Sequence, residues 1–438
     1  MKASFLRYFL LLSLATGVLG LAAGAQTTTP EKVRAEMRAN PGSAAGLDQA
    51  YDMSAKPSTP APCGYEPVYV SHYGRHGSRY AYTSKAYTIP LDLLKRGAES
   101  GNLTEYGQAL YERLSAFWKE AEYKVGDLTP LGWEQHRYIA STMVHSFPSA
   151  FRKGSVVDAC SSPAVRSIVS MASFCAGVAK EAPRAEVYAH QGMLDVQATR
   201  PNSGRNPFAY KGPELKFPYD ESSEEFFLRK FPDYKNVLAR MFKDTGKCLG
   251  KVSAYDAFFN IYMLVAGQNS IPEEERIDLL QQLLTDEEYA ILWETDNYER
   301  FREYFSYRTT CSSIVDDMIA KADERLASGS RGADLRFGHD HVLMTLLMIM
   351  DIEGFGYIPQ SNDDLVGAFR TTLSPMATNI QFVFYQPKCC KKGETLVKVL
   401  LNGAETNLGD LIPVKGPYYE WPAVREFLNK RTNLYVNR

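Results

Sequence analysis

Apolar and polar residues first fall into a strand-like pattern at EPVYVSHYGRHG, where Val68 and Val70 alternate with Tyr69, and Gly74 and Gly77 mark a tight loop beyond. A helix is expected from Thr129-Pro130, with Thr as N-cap, Pro in the first turn, and Trp133, Tyr138 and Ile139 along it. SVVDACSS reads as a second strand, the run over 163–179 as a helix, and AEVYAH as a third strand. Strand and helix in alternation predict an α/β fold: a mainly parallel sheet flanked by helices.

Between about 192 and 332 the texture changes. SSEEFFLRKFPDYKNVLARMF, AYDAFFNIYMLVAG and PEEERIDLLQQLL have helical apolar spacing, with acidic residues in their first turns where helix dipoles favour them. This predicts an inserted all-helical domain, 192–332, dividing a core made of 66–191 and 333–438. The α/β pattern resumes at ADLRFG, before a helix over 341–352. NIQFVFYQ and TLVKVLLN, on either side of PKCCKKGE, predict an antiparallel edge hairpin. Residues 26–65, rich in Thr, Ala, Pro and Ser with one helix expected over 31–38, form an arm that lies on the body or tethers it.

The chain has 438 residues, 45% of them hydrophobic and 23% charged, which supplies a core and excludes disorder or a disulfide-dense mini-domain. Its formal charge is only −2, so nothing global draws it to nucleic acid or acidic membranes; attraction for anions must be local. Residues 1–25 have the layout of a signal peptide: Lys2 and Arg7, an apolar run from Phe9 to Leu21, then Ala23-Gly24-Ala25. The expectation is cleavage after Ala25, a periplasmic or secreted location, and no membrane attachment afterwards. Seven cysteines are present, an odd number without C-x-x-C spacing, and their pairing is not legible.

Candidate chemistry sits at strand ends. Arg75-His76-Gly77-Ser78-Arg79 follows the first strand, at the edge where open α/β sheets bind ligands. Arginine matches phosphate oxygens bidentately and keeps its charge, and a neutral imidazole among arginines can attack phosphorus. The bland alternative is a basic surface turn. Arg166, near the start of the next helix, adds a third guanidinium beside backbone amides, although such a residue is commonly an exposed charge. Arg336-Phe337-Gly338-His339-Asp340-His341 ends another strand: Asp340 can protonate a leaving group, with N-capping as its structural alternative, and His339 can hold an oxygen.

These residues resemble the histidine acid phosphatases, the clade-2 branch of the histidine phosphatase superfamily. LTPLGWEQH is similar to that family's helix after the first loop, and EPVYVSHYGRHGSRY and TLVKVLLNGAET are most similar to bacterial multiple inositol-polyphosphate phosphatases. The resemblance implies a phosphoglycerate-mutase-like core, with His76 attacking phosphorus, Asp340 as proton donor, and Arg75, Arg79, Arg166 and His339 holding the phosphoryl group. It implies a small phosphate ester as substrate, inositol polyphosphates such as phytate above all, and neither cofactor nor metal. Two positions depart from the pattern. Tyr80-Ala81 stands where a Pro often follows the second Arg, and His339-Asp340-His341 stands where the inositol-polyphosphate branch has His-Ala-Glu.

His341 is a surface residue or lines the site in place of that Glu, and His190, at the end of the third strand, is a further candidate for lining it. His72 is read as packing, His136 as structural, and Lys391 and Lys392 as solvated. Arg200, Arg205, Lys211 and Lys216 bind further phosphates or are ordinary surface charge. Three other functions stay open: a broad-specificity acid phosphatase, an HD-type metallophosphohydrolase using His339-Asp340, and an exported phosphate-ester binding protein without turnover.

Overall fold

The computed structural model describes residues 28–388 and 393–437. The proposed leader, Cys389, Cys390, Lys391 and Lys392 lie outside them. Six main strands form one sheet in the order β3-β2-β4-β1-β5-β6: β1 (Tyr65–Arg75), β2 (Val156–Ser161), β3 (Glu186–His190), β4 (Gly332–Gly338), β5 (Asn379–Pro387) and β6 (Leu396–Leu401). The first four are parallel, as expected. The β5–β6 hairpin is antiparallel and extends the sheet beyond β1, while two-residue strands Ala404–Glu405 and Tyr419–Glu420 pair with β6 outside it.

β1 is buried from Pro67 onward because helices cover both faces. On one face, helices Pro130–Ser146 and Val165–Glu181 bring Ile139, Met143, Phe174 and Val178 against Val70, Val157 and Leu335. On the other, Arg308–Ser328, Asp340–Met350 and Trp421–Asn433 set Ile314, Val342 and Leu346 against Tyr69, Tyr73 and Phe382. Helix Arg308–Ser328 therefore packs with the sheet, although it lies in the 192–332 segment.

A separate apolar cluster unites Leu93, Leu94, Leu110 and Leu114 with Phe258, Ile261, Leu264 and Trp293. The helices involved include Lys85–Glu99 and Glu105–Ala121, which precede the insertion, together with Ala254–Gly267 and Asp286–Tyr304. The boundaries 192 and 332 mark a change of sequence texture rather than a break in packing. The arm also differs from a strap on the surface. After helix Pro30–Ala39, the turn Pro41–Asp48 buries Ala44 through Asp48 between the helical cluster and the sheet. Among the described residues no helix is long and apolar enough to cross a membrane.

The strand register positions the site. Arg75 pairs with Gly338, and Ser161 with Phe337, so β1, β4 and β2 end level with one another. His76, His339 and Ser162 are the next residues out.

Candidate active site

The loop after β1 is locked before any side chain takes part. His76 donates its backbone N–H to Gly338 (3.0 Å), its carbonyl accepts from Ala377 (2.9 Å), and Arg75 N–H reaches Thr378 (2.7 Å). Helix Pro130–Ser146 abuts the loop so closely that a Cβ on Gly77 would lie 2.5 Å from the Gly132 carbonyl oxygen. Gln135 bonds both the backbone N–H and the hydroxyl of Ser78 (2.9 Å each), and the Ser170 hydroxyl accepts from Gly77 N–H at 3.1 Å. A glycine and small polar residues here let a helix N-terminus brace the turn.

His76 is 1% exposed. Its Nδ1 lies 3.0 Å from the Gly77 carbonyl, which can only accept, so Nδ1 carries the proton and Nε2 the lone pair. Burial, reinforced by the charges of Arg166, Arg75 and Arg79, holds this imidazole well below its ordinary pKa and therefore neutral.

Arg75 is fully buried, with Nη1 committed to the carbonyls of Leu47 (2.6 Å) and Ser374 (2.7 Å). Its Nε and Nη2, like Nε of Arg79 and of Arg166, are buried without a hydrogen-bond partner. Arg79 is steadied by the Tyr80 carbonyl (3.2 Å) and by Asp48 (3.5 Å). Burial first, then the neighbouring Arg79, lowers Arg166 to about 10, still a cation at neutral pH. Uncommitted guanidinium donors held around one imidazole make a site for a compact anion with several acceptor oxygens.

His339 precedes helix Asp340–Met350, and its Nε2 lies 2.9 Å from the Ser162 hydroxyl. Its ring meets that of His76 edge-on at 5.6 Å and stacks on His341 at 5.3 Å, so His341 is half-buried at the site rather than out on the surface. Asp340 opens the helix. One carboxylate oxygen is 4.0 Å from Arg75 Nε, and the other accepts from the Tyr304 hydroxyl at 2.7 Å. Burial pushes this carboxyl up, but the positive charge of Arg75 and further cationic neighbours, Arg300 among them, outweighs it and holds Asp340 well below the usual carboxylate range.

His76, Arg79, Arg166, His339, Asp340 and His341 line one chamber of about 360 Å³, with Arg75 directly behind. Arg200 joins them, whereas Arg205, Lys211 and Lys216 are exposed and form no part of its lining. His190 does not join. It ends the edge strand β3 half exposed, held by Asp158 (2.9 Å) and Asp195 (3.1 Å). β3 pairs with β2 alone at the rim of the sheet, and the two aspartates tie the ring there, so this placement corrects the reading of His190 from position alone. The motifs did not disclose the chamber's other walls: Leu47 and Asp48 from the arm, Tyr262, and Asp296, Arg300, Glu303, Tyr304 and Tyr307 from the helical region. Among the described residues, no group of three or more His, Cys, Asp and Glu side chains is arranged to hold a metal ion.

A search of curated protein sequences finds no match. Solved structures do match in fold. The multiple inositol polyphosphate phosphatase of Bifidobacterium longum, in complex with inositol hexasulfate, superposes with a TM-score of 0.68 at 19% identity, over 88% of this chain and 97% of that one. The phytase from D. castellii gives 0.62 at 15% identity, over 90% of this chain and 86% of that one. The family model "Histidine phosphatase superfamily (branch 2)" matches residues 74–402, from the strand end that carries His76 to the far side of the β5–β6 hairpin. This chain is a member of the histidine phosphatase superfamily, branch 2, and a phosphatase of the histidine type.

Proposed function

We propose that the protein is an exported phosphomonoesterase that works through a phosphohistidine on His76, with Asp340 as proton donor and inositol phosphates as its substrates. The observation that carries this reading is the neutral, tautomer-fixed His76 among three arginines with uncommitted donors. The phosphoryl group lies against Arg75, Arg79, Arg166 and His339. His76 Nε2 attacks phosphorus as the bond to the ester oxygen breaks, and that oxygen takes the proton of Asp340. A phosphohistidine and a free alcohol result. Water then attacks phosphorus, Asp340 takes its proton, the P–N bond breaks with its electron pair returning to Nε2, and inorganic phosphate leaves.

Asp340 must be protonated to begin. The cations that keep it a carboxylate are those a phosphate dianion offsets, so bound substrate raises its proton affinity. Fixed guanidinium donors aimed at the equatorial oxygens supply the charge stabilisation that phosphoryl transfer requires. The inositol assignment draws on the names of the structural relatives, and export on the sequence of residues 1–25.

The test is trapping with radiolabelled substrate by a rapid alkaline, denaturing quench. The wild-type chain should carry an acid-labile, base-stable label, and His76→Ala should lose both the label and nearly all phosphate release. A variant that keeps most of the activity refutes the mechanism.

A further inference from the structure

Beyond the residues that would hold the reacting phosphoryl group, the chamber is charge-balanced rather than basic. Arg300 bonds Asp296 (Nη2 to Oδ1, 3.0 Å) and lies 3.6 Å from Glu303, while Arg79 leans on Asp48. No lysine is among the described residues that line it. Of the lining guanidinium groups, only Arg166 and Arg200 have no carboxylate within ion-pair distance, and Arg166 belongs to the phosphoryl-binding floor. One cation, Arg200, is left for any second phosphate.

The opposite wall offers acceptors. Glu303 and Asp296 are carboxylates, and Glu303 already takes the Tyr307 hydroxyl at 3.2 Å. Phosphate oxygens are acceptors too, so a second, third or fourth phosphate laid there meets two carboxylates, while the guanidinium of that wall, Arg300, is already shared between them and the Tyr304 and Tyr307 hydroxyls already donate to Asp340 and Glu303. An alcohol's hydroxyl can donate to a carboxylate or to a tyrosine oxygen, which a phosphate without its proton cannot. The side chains that replace water around the leaving group thus suit a neutral polyol better than a polyanion.

We infer that this chamber selects phosphate esters of neutral, hydroxyl-rich alcohols, with at most one additional phosphate carried by Arg200, and discriminates against fully phosphorylated rings. The inference rests on the phosphatase reading above and narrows its substrate to the least phosphorylated members of the class. The discrimination is electrostatic and should weaken as salt screens it.

The experiment compares kcat/KM for phosphate release by the full chain from an inositol monophosphate, an inositol bisphosphate and inositol hexakisphosphate at near-neutral pH. The monophosphate should exceed the hexakisphosphate by about tenfold or more, one unit charge at contact distance being ample for this. Glu303→Gln should narrow that ratio by about threefold or more, and Arg200→Gln should lower the rate on the bisphosphate more than on the monophosphate. A wild-type chain at least as efficient on hexakisphosphate overturns the inference, as does a ratio that Glu303→Gln leaves unmoved, and both leave the phosphatase reading standing. A chain that releases phosphate from none of these esters overturns that reading and the inference with it.

Discussion

His136 offers a measurement of what the site's surroundings cost in acid. It lies on helix Pro130–Ser146, the helix that braces the loop after β1, with its ring against Phe174 (6.4 Å) and Phe337 (5.8 Å). Neither ring nitrogen has a protein partner, and burial lowers its pKa from 6.5 to about 3. The sign follows from linkage. The unfolded chain binds a proton at this histidine as pH falls below 6.5, and the folded chain does not until about 3. The stability is therefore complete above 6.5 and is lost progressively on acidification through that window. At about pH 5 the loss from this one group is ~2 kcal/mol relative to neutral conditions. Met has a similar volume and makes favourable thioether contacts with aromatic rings, so His136→Met should fold at neutral pH. Urea denaturation at about pH 7.5 and about pH 5 would then give a smaller acid-induced drop in the variant than in the wild type, by ~2 kcal/mol. The comparison has to be between variants because Asp296, raised to about 6 by burial, acts in the opposite sense over part of the range. Equal drops in the two proteins would refute the reasoning, since His136 would then be equally protonated in both states.

Two further outcomes bear on the chemistry. Asp340→Asn should cost about 10²–10⁴ in kcat on an alkyl phosphate, the usual worth of a positioned general acid, and far less on a nitrophenyl phosphate whose leaving group needs no proton; equal losses on both would remove Asp340 from that role. Tyr304→Phe deletes the hydroxyl that donates to the Asp340 carboxylate at 2.7 Å. A bond of that kind favours the charged form, so its loss should move the basic limb of the kcat–pH profile upward by about one unit, and an unmoved limb would mean that Asp340 does not set it.

The parallel strands were legible because β-branched or aromatic residues stand in each between turn residues, and the candidate motifs were legible because they are contiguous with strand ends. Arg75-His76-Gly77-Ser78-Arg79 and His339-Asp340-His341 needed no tertiary knowledge beyond the rule that such ends share an edge, and the level register of β1 and β4 meets that rule. The same rule made His190 a candidate that the structure leaves outside, because β3 ends at the rim of the sheet, where Asp158 and Asp195 hold the ring. Helix Asp286–Tyr304 posed a different difficulty. It buries Thr295, Asp296 and Asn297 beside Trp293 and Tyr298, so its polar residues face inward and no apolar stripe marks which side looks at the chamber. Nothing in the sequence therefore marks Arg300, Glu303 and Tyr304 as lining the chamber. The arm was opaque for the opposite reason. Its turn, Pro41–Asp48, is mostly small residues without helical or strand periodicity, and besides the Asp48–Arg79 ion pair its contact with the site runs through a backbone carbonyl, Leu47 to Arg75, which no side-chain pattern encodes. The division has a physical basis. Residues that act on phosphorus are anchored locally by strand termini, and their spacing survives in the chain. Residues that face the alcohol are supplied by helices docked from afar, and their orientation exists only once the two cores meet. A sequence of this architecture can thus declare its reaction while concealing its substrate, and the charge of the docked wall decides which esters reach His76.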